Sequence, residues 1–292
     1  MGSQHDDGLD RRPEADQRAL TVGRLLLLLA LAAAASAAGA NPAEGDPRPP
    51  YALRSALDRL SPQRPGTVDL YAIVIGGDAE EVFRREAETV RRVLDERLGT
   101  AGRSLVMVND VTMPEPEVTL NSLAYALRAV AKRMDAEEDV LLLHLDSHGL
   151  RNHELSLRHP ATPLYALSPL YLRSLLDEVG VRNRVVIVSS CFSGGFVGPL
   201  STGDTMVVTA ASADRPSYGC GSDSQITDFS RALYLKALAR TRSLREAAVQ
   251  TLDLVREDEK ARGFQHSLPQ LRSGASIDER LRLIERQLEA KR

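Results

Sequence analysis

Two apolar runs in this chain end in residues that could carry out acyl transfer. Val140-Leu141-Leu142-Leu143-His144-Leu145 leads into Ser147-His148-Gly149, and Val185-Val186-Ile187-Val188 leads to Cys191, followed by Phe192-Ser193-Gly194-Gly195. A thiol becomes a nucleophile as its thiolate, and a nearby imidazole can take its proton. Attack on a carbonyl also needs backbone N–H donors aimed at the developing oxyanion. Those of Gly149 and Cys191 are the natural pair, since glycine puts no side chain in the substrate's way. Among six histidines, only His148 follows a strand beside a glycine. His144 shares the strand face by the two-residue period and reads as a packed core or supporting histidine. His153, His159 and His266 fall in loops and are expected at the surface, and His5 lies near the N-terminus. The competing reading is that both segments are plain strand-ending glycine turns. The reactive residue in each turn weakens it.

Strands alternating with helices must position these groups. Leu70–Ile75, closed by Gly76-Gly77, reads as a buried strand, with further strands at 105–108, 140–145, 185–188 and 206–209. Helical spacing covers 79–98, a stretch opening at Thr119-Leu120, one opening at Ser168-Pro169 and ending at Gly180, and 229–239. The pattern predicts a parallel sheet covered on both faces, with ligands bound beyond the carboxyl ends of the strands. If the strands before His148 and Cys191 are neighbours, the two side chains share one crevice.

The chain has 292 residues, 43% hydrophobic and 26% charged, enough for one large domain or two small ones. Trp is absent and aromatics make up only 4%, so Leu, Val, Ala and Ile must build the core. A net charge of −3 gives no reason to expect a nucleic-acid partner. At the N-terminus four arginines precede Leu25-Leu26-Leu27-Leu28-Leu29-Ala30-Leu31, and the apolar stretch ends at Ala38-Gly39-Ala40. A basic flank, a short apolar segment and a small-x-small site predict a signal peptide over 1–40, cleaved after Ala40. An uncleaved membrane anchor is the alternative. Either implies an exported protein, periplasmic or otherwise extracytoplasmic. Residues 41–66 read as a linker, rich in Pro and Gly over 41–50 and carrying a short helix over Leu53–Leu60 before a break at Pro62 and Pro65, and 67–292 as one domain. In an oxidising compartment Cys191 and Cys220 could form a disulfide. Ile277, Leu281, Ile284 and Leu288 mark an amphipathic final helix, which either packs on the domain or docks a partner.

Ser147-His148-Gly149 and Ser189-Ser190-Cys191-Phe192-Ser193-Gly194 resemble the His-Gly and Ala-Cys-x-Ser-Gly blocks of the legumain-like cysteine peptidases, peptidase family C13. Their superfamily includes the caspases, the gingipains and the catalytic subunit of the GPI transamidase. A third block agrees: Thr209-Ala210-Ala211, then Arg215, Ser217-Tyr218-Gly219-Cys220 and Thr227, is similar to the family's Thr-Thr-Ala-Ala…Ser-Ser-Tyr-Ala-Cys…Ser-Thr-Tyr segment. The likeness is nearer to exported bacterial members than to the eukaryotic enzymes. It implies an α/β fold, a caspase-like three-layer sandwich whose mostly parallel sheet is flanked by helices. It also implies His148 as general base or acid, Cys191 as nucleophile, protein or peptide substrates, and no metal or organic cofactor. Cys220 matches a family position, which argues against a disulfide to Cys191.

The substrate pocket departs from the legumain pattern. Phe83-Arg84-Arg85-Glu86-Ala87 resembles the family's Tyr-Arg-His-Gln-Ala, so Arg84 matches the pocket arginine and Ser217 a pocket serine. Ser189 and Arg231, however, stand where the legumains have acidic residues, and Val82 stands where they have the asparagine that helps orient the histidine. A pocket with two arginines and no acid suits a carboxylate better than an asparagine amide, unless Asp223 or Asp228 restores an acceptor. The resemblance therefore implies an exported cysteine endopeptidase. The same acyl-enzyme could instead serve a transpeptidase, and the fold could serve a non-catalytic scaffold.

Overall fold

The computed structural model describes residues 50–221 and 223–290. The expected signal or anchor segment and most of the expected linker lie outside the described residues. Six strands form one sheet in the order β2-β1-β3-β6-β7-β8. These are β1 (Leu70–Gly76), β2 (Ser104–Val108), β3 (Val140–Asp146), β6 (Asn183–Ser189), β7 (Thr205–Thr209) and β8 (Gln270–Ser273). All neighbouring pairs are parallel except β7 with β8. β4 (Leu155–Leu157) and β5 (Tyr165–Leu167) form a separate antiparallel pair. The order reverses between β1 and β3, and at such a switch point the loops leaving two adjacent strands diverge and open a crevice.

The pleat decides which helices cover which face. Tyr71, Ile73, Leu141, Leu143 and Val186 point into one core with Leu53, Leu57, Leu123, Leu127, Leu172 and Leu176. Those side chains come from α1 (Tyr51–Asp58), α3 (Leu120–Ala131) and α4 (Pro169–Glu178). Alternate residues Leu70, Ala72, Leu142, Val185 and Ile187 point into the second core, with Val90, Leu94, Leu233, Ala248, Leu281 and Ile284. Here the cover is α2 (Glu81–Leu98), α8 (Leu244–Ala261) and α9 (Ala275–Glu289). A further helix on this side opens as α6 (Asp228–Ser230), runs as a π-helix over Arg231–Ala237 and closes as α7 (Leu238–Arg240). Between β6 and β7 lies α5 (Val197–Leu200).

The five expected strands and the parallel sheet agree with the sequence reading. The short helix expected at Leu53 is present as α1, but it is part of the domain rather than of a linker: its buried Leu53 and Leu57 join the first core, so the folded unit starts earlier than residue 67. Leu53 and Leu57 are four apart and share one helix face, which is what an amphipathic cover needs. The final helix packs on the domain, with Ile277, Leu281, Ile284 and Leu288 all buried. Among the described residues, no helix is long and apolar enough to cross a membrane.

Candidate active site

His148 and Cys191 lie two residues beyond the ends of adjacent strands, because β3 pairs with β6 and Asp146 is in register with Ser189. The turns that follow are locked together. A Cβ on Gly149 would overlap the backbone carbonyl of Cys191, so only glycine allows this approach. Ser156 N donates to His148 O at 2.9 Å and Leu150 N to Glu154 O at 2.8 Å. These bonds of the flanking residues pair Gly149 with Leu155 without using the Gly149 N–H. After the cysteine, Phe192 takes a left-handed conformation (φ 55°) and starts a tight turn over Ser193–Phe196. Gly194 packs on the backbone of Ser212 and Ala213, and Gly195 lies against the His153 ring. The guanidinium of Arg151 sits over the Phe192 ring at 5.1 Å.

The Cys191 sulfur faces the segment after β7. Ser217 N donates to it at 3.3 Å, and the Ser217 hydroxyl lies at 3.8 Å. The His148 ring is held on two sides. Its Nε2 lies 3.1 Å from Glu80 Oε1, and it meets the Phe83 ring edge-on with centroids 5.0 Å apart. Its pKa is pushed up to about 9, first by the Cys220 side chain beside it, then by Glu80 and the charge of Asp78, with burial opposing. In this resting arrangement the thiol that acts most strongly on His148 is therefore Cys220, while Cys191 rests on Ser217. Catalytic hydrogen bonds are often long before substrate binds. Both cysteines are free thiols.

The remaining residues named from sequence scatter. Arg84 faces the β2 side, with Glu81, Glu88 and Asp110 as its ion-pair partners. Arg85 instead reaches the loop before α6, at the Ser224 carbonyl (3.4 Å). Ser189 is buried, and its hydroxyl pairs with that of Thr227 at 3.0 Å. Arg231 bonds Asp228 at 2.9 Å and the Ile226 carbonyl at 3.0 Å. Of the two acids in question, Asp223 is exposed. Asp228 is buried against Gly219 and is also bonded by Arg262. The structure thus brings Ser217 to Cys191 and builds Ser189 into the supporting layer, while both arginines are already neutralised by carboxylates.

That layer is a buried polar cluster on the α2 side of the sheet. Glu86 accepts from Thr227 N at 2.7 Å and from the Ser230 hydroxyl, and lies 3.4 Å from His144 Nε2. Tyr234, in the π-helical segment, hydrogen-bonds through its hydroxyl with His144 Nδ1 at 2.9 Å. Burial would raise the Glu86 pKa, but the contacts with His144, Ser230 and Thr227 pull it below the usual value. Asp146 is fully buried, and neither oxygen of its carboxyl group has a hydrogen-bond partner. Desolvation, then the nearby Glu86 charge, pushes its pKa well above the carboxylate range. His144 is thus the core histidine expected. His159 is not at the surface: it is buried and bonds the Asp110 and Met113 carbonyls at 3.1 and 3.2 Å. His153 and His266 are half-buried, His153 against Gly195 and His266 on Glu259. The sequence reading missed Glu80 and the Glu86–Asp146 pair. A charged side chain just after a Gly-Gly turn was the available signal for Glu80.

The solved structure of caspase-1 from Spodoptera frugiperda matches this chain with a TM-score of 0.50 at 13% sequence identity, covering 74% of this chain and 93% of that one. The fold is caspase-like. No curated protein matches the chain. The family model described as the peptidase C13 family matches residues 121–272, which run from α3 to β8 and include both turns of the site. That match supports a function of the cysteine-peptidase type. Since it extends over more than half of the sequence, the chain belongs to the peptidase C13 family.

Proposed function

We propose that the protein is an exported cysteine endopeptidase in which Cys191 is the nucleophile and His148 its acid–base partner. The observation that carries this reading is the backbone lock between Gly149 and Cys191 at the ends of adjacent strands, which joins a histidine turn to a cysteine turn. His148 takes the Cys191 thiol proton as the sulfur attacks, and the imidazolium so formed, which the contacts with Cys220 and Glu80 favour, gives that proton to the leaving amine. The carbon–sulfur bond forms as the peptide C–N bond breaks, with the N–H groups of Gly149 and Cys191 holding the oxyanion. His148, now neutral, takes a proton from water as its oxygen attacks the thioester, and the thiolate leaves. With an amine in place of water, the same steps give transpeptidation.

The test uses the purified full chain and peptides varied at the residue before the scissile bond. Cleavage that disappears in Cys191→Ala and His148→Ala is expected, and cleavage that persists in Cys191→Ala overturns the assignment. Cleavage products that incorporate an added labelled amine would identify a transpeptidase. Export is checked by the N-terminus of the mature protein, which is expected at Asn41.

A further inference from the structure

Glu80 belongs to none of the sequence motifs, yet it is the side chain bonded to the far side of His148. Its place follows from the chain path. β1 ends at Gly76, in register with Asp146 at the end of β3. Gly77 N donates to Asp146 O at 2.8 Å, and a Cβ on Gly77 would come within 2.7 Å of Ser156 O. The segment after β1 can therefore cross tightly over the histidine turn and deliver Glu80, the N-cap residue of α2, to the imidazole. There the carboxylate is fixed from behind. Arg158 Nη2 donates to Glu80 Oε1 at 2.9 Å, and Arg158 also spans both oxygens of the buried Asp78 at 3.0 to 3.2 Å. Ala79 N donates to the Arg158 carbonyl at 3.1 Å, which ties the same two segments together. Val82, at the position where the resemblance puts a histidine-orienting asparagine, is fully buried and apolar.

We propose that Glu80 is the positioning residue of His148, fixing the ring through Nε2 and leaving Nδ1 for the thiol side. This rests on the reading of His148 as the acid–base residue. A carboxylate at that distance also favours the imidazolium form. The charged or titratable groups facing the ring are Glu80, Asp78 and Cys220, and Arg158 stands behind Glu80. Of these, Glu80 is the carboxylate in direct contact with a ring nitrogen, at 3.1 Å.

The test compares kcat, KM and the pH profile of peptide cleavage for wild type, Glu80→Gln, Glu80→Asp and His148→Ala, with melting temperatures to confirm folding. Glu80→Gln removes the negative charge, so His148 loses its proton at lower pH. The alkaline limb is expected to move down by about one pH unit. The same variant should lose about tenfold to a hundredfold in kcat, with KM nearly unchanged. Glu80→Asp keeps a carboxylate for Arg158 but draws it back from the ring, and should fall between. It serves as the probe if Glu80→Gln does not fold. Wild-type kcat and limb in the folded Glu80 variants, with His148→Ala inactive, would overturn the proposal and leave the dyad standing. An active His148→Ala would remove the dyad reading itself.

Discussion

At the residue scale, His148 is defined by what touches it. Cys220 is the largest contributor to its high pKa, so replacing that thiol by serine should bring His148 back towards the ordinary histidine range. The imidazole C–H signal in an NMR titration would report it, with His148→Ala assigning the resonance. Gly149 makes a second prediction. Alanine there would drive a methyl group into the Cys191 carbonyl, which no rotamer change can relieve. Gly149→Ala should lower stability by about 1–3 kcal/mol and kcat by about a hundredfold or more, read by melting and by turnover. His148, Gly149 and Cys191 were legible in the sequence because each follows an apolar run. Glu80 was not, because its meeting with His148 is made across 68 positions by the fold. The pocket residues were the least legible. Helical spacing cannot tell whether Arg84 or Arg85 faces the loop before α6, and it is Arg85 that reaches Ser224.

At the scale of elements, β3, β6, α2 and the π-helical stretch enclose two carboxyl groups. The two-residue period puts His144, Asp146 and Ser189 on the α2 face, and Glu86 meets them there. Burial makes Asp146 hold its proton more tightly in the folded state than in the unfolded chain, where a carboxyl of this kind titrates near 3.8. The folded state then binds more protons, so this group's contribution is fully present below about pH 4 and declines as pH rises, by up to about 1.4 kcal/mol per pH unit. Glu86, whose pKa is lowered, acts in the opposite sense, and its contribution fades on acidification below the ordinary glutamate value of 4.5. Asp146→Asn should therefore raise the melting temperature at pH 7 and flatten its fall towards alkaline pH, while Glu86→Gln should remove part of the acid sensitivity. Thermal melts across pH would check both. The buried runs made β1, β3, β6 and β7 readable. β4, β5 and β8 have only three or four residues each, too short for a periodicity to register.

At the scale of the molecule, the C-terminal segment is structural. β8 extends the sheet beyond β7, and α9 places Ile277, Leu281 and Ile284 in the second core beside Leu70 and Leu142. Removing residues 274–292 would delete four buried apolar side chains, each contributing about 1.5–3 kcal/mol, and bare the part of the second core they cover. The truncated chain should be insoluble or unfolded by circular dichroism, whereas a folded and soluble truncated chain would show that the segment is dispensable. The amphipathic spacing of this helix showed that it had a buried face. Its partner surface was set by the sheet order, which no local pattern carries.

The left-handed backbone at Phe192 has an evolutionary consequence. A phenylalanine in that conformation costs on the order of 1–2 kcal/mol, and asparagine or glycine would adopt it more cheaply. The residue immediately follows Cys191 and lies under Arg151. Heat selection on a library at this position should enrich the two cheaper residues, and turnover selection should keep the aromatic ring. Position 192 is thus where durability and catalysis would pull the lineage apart.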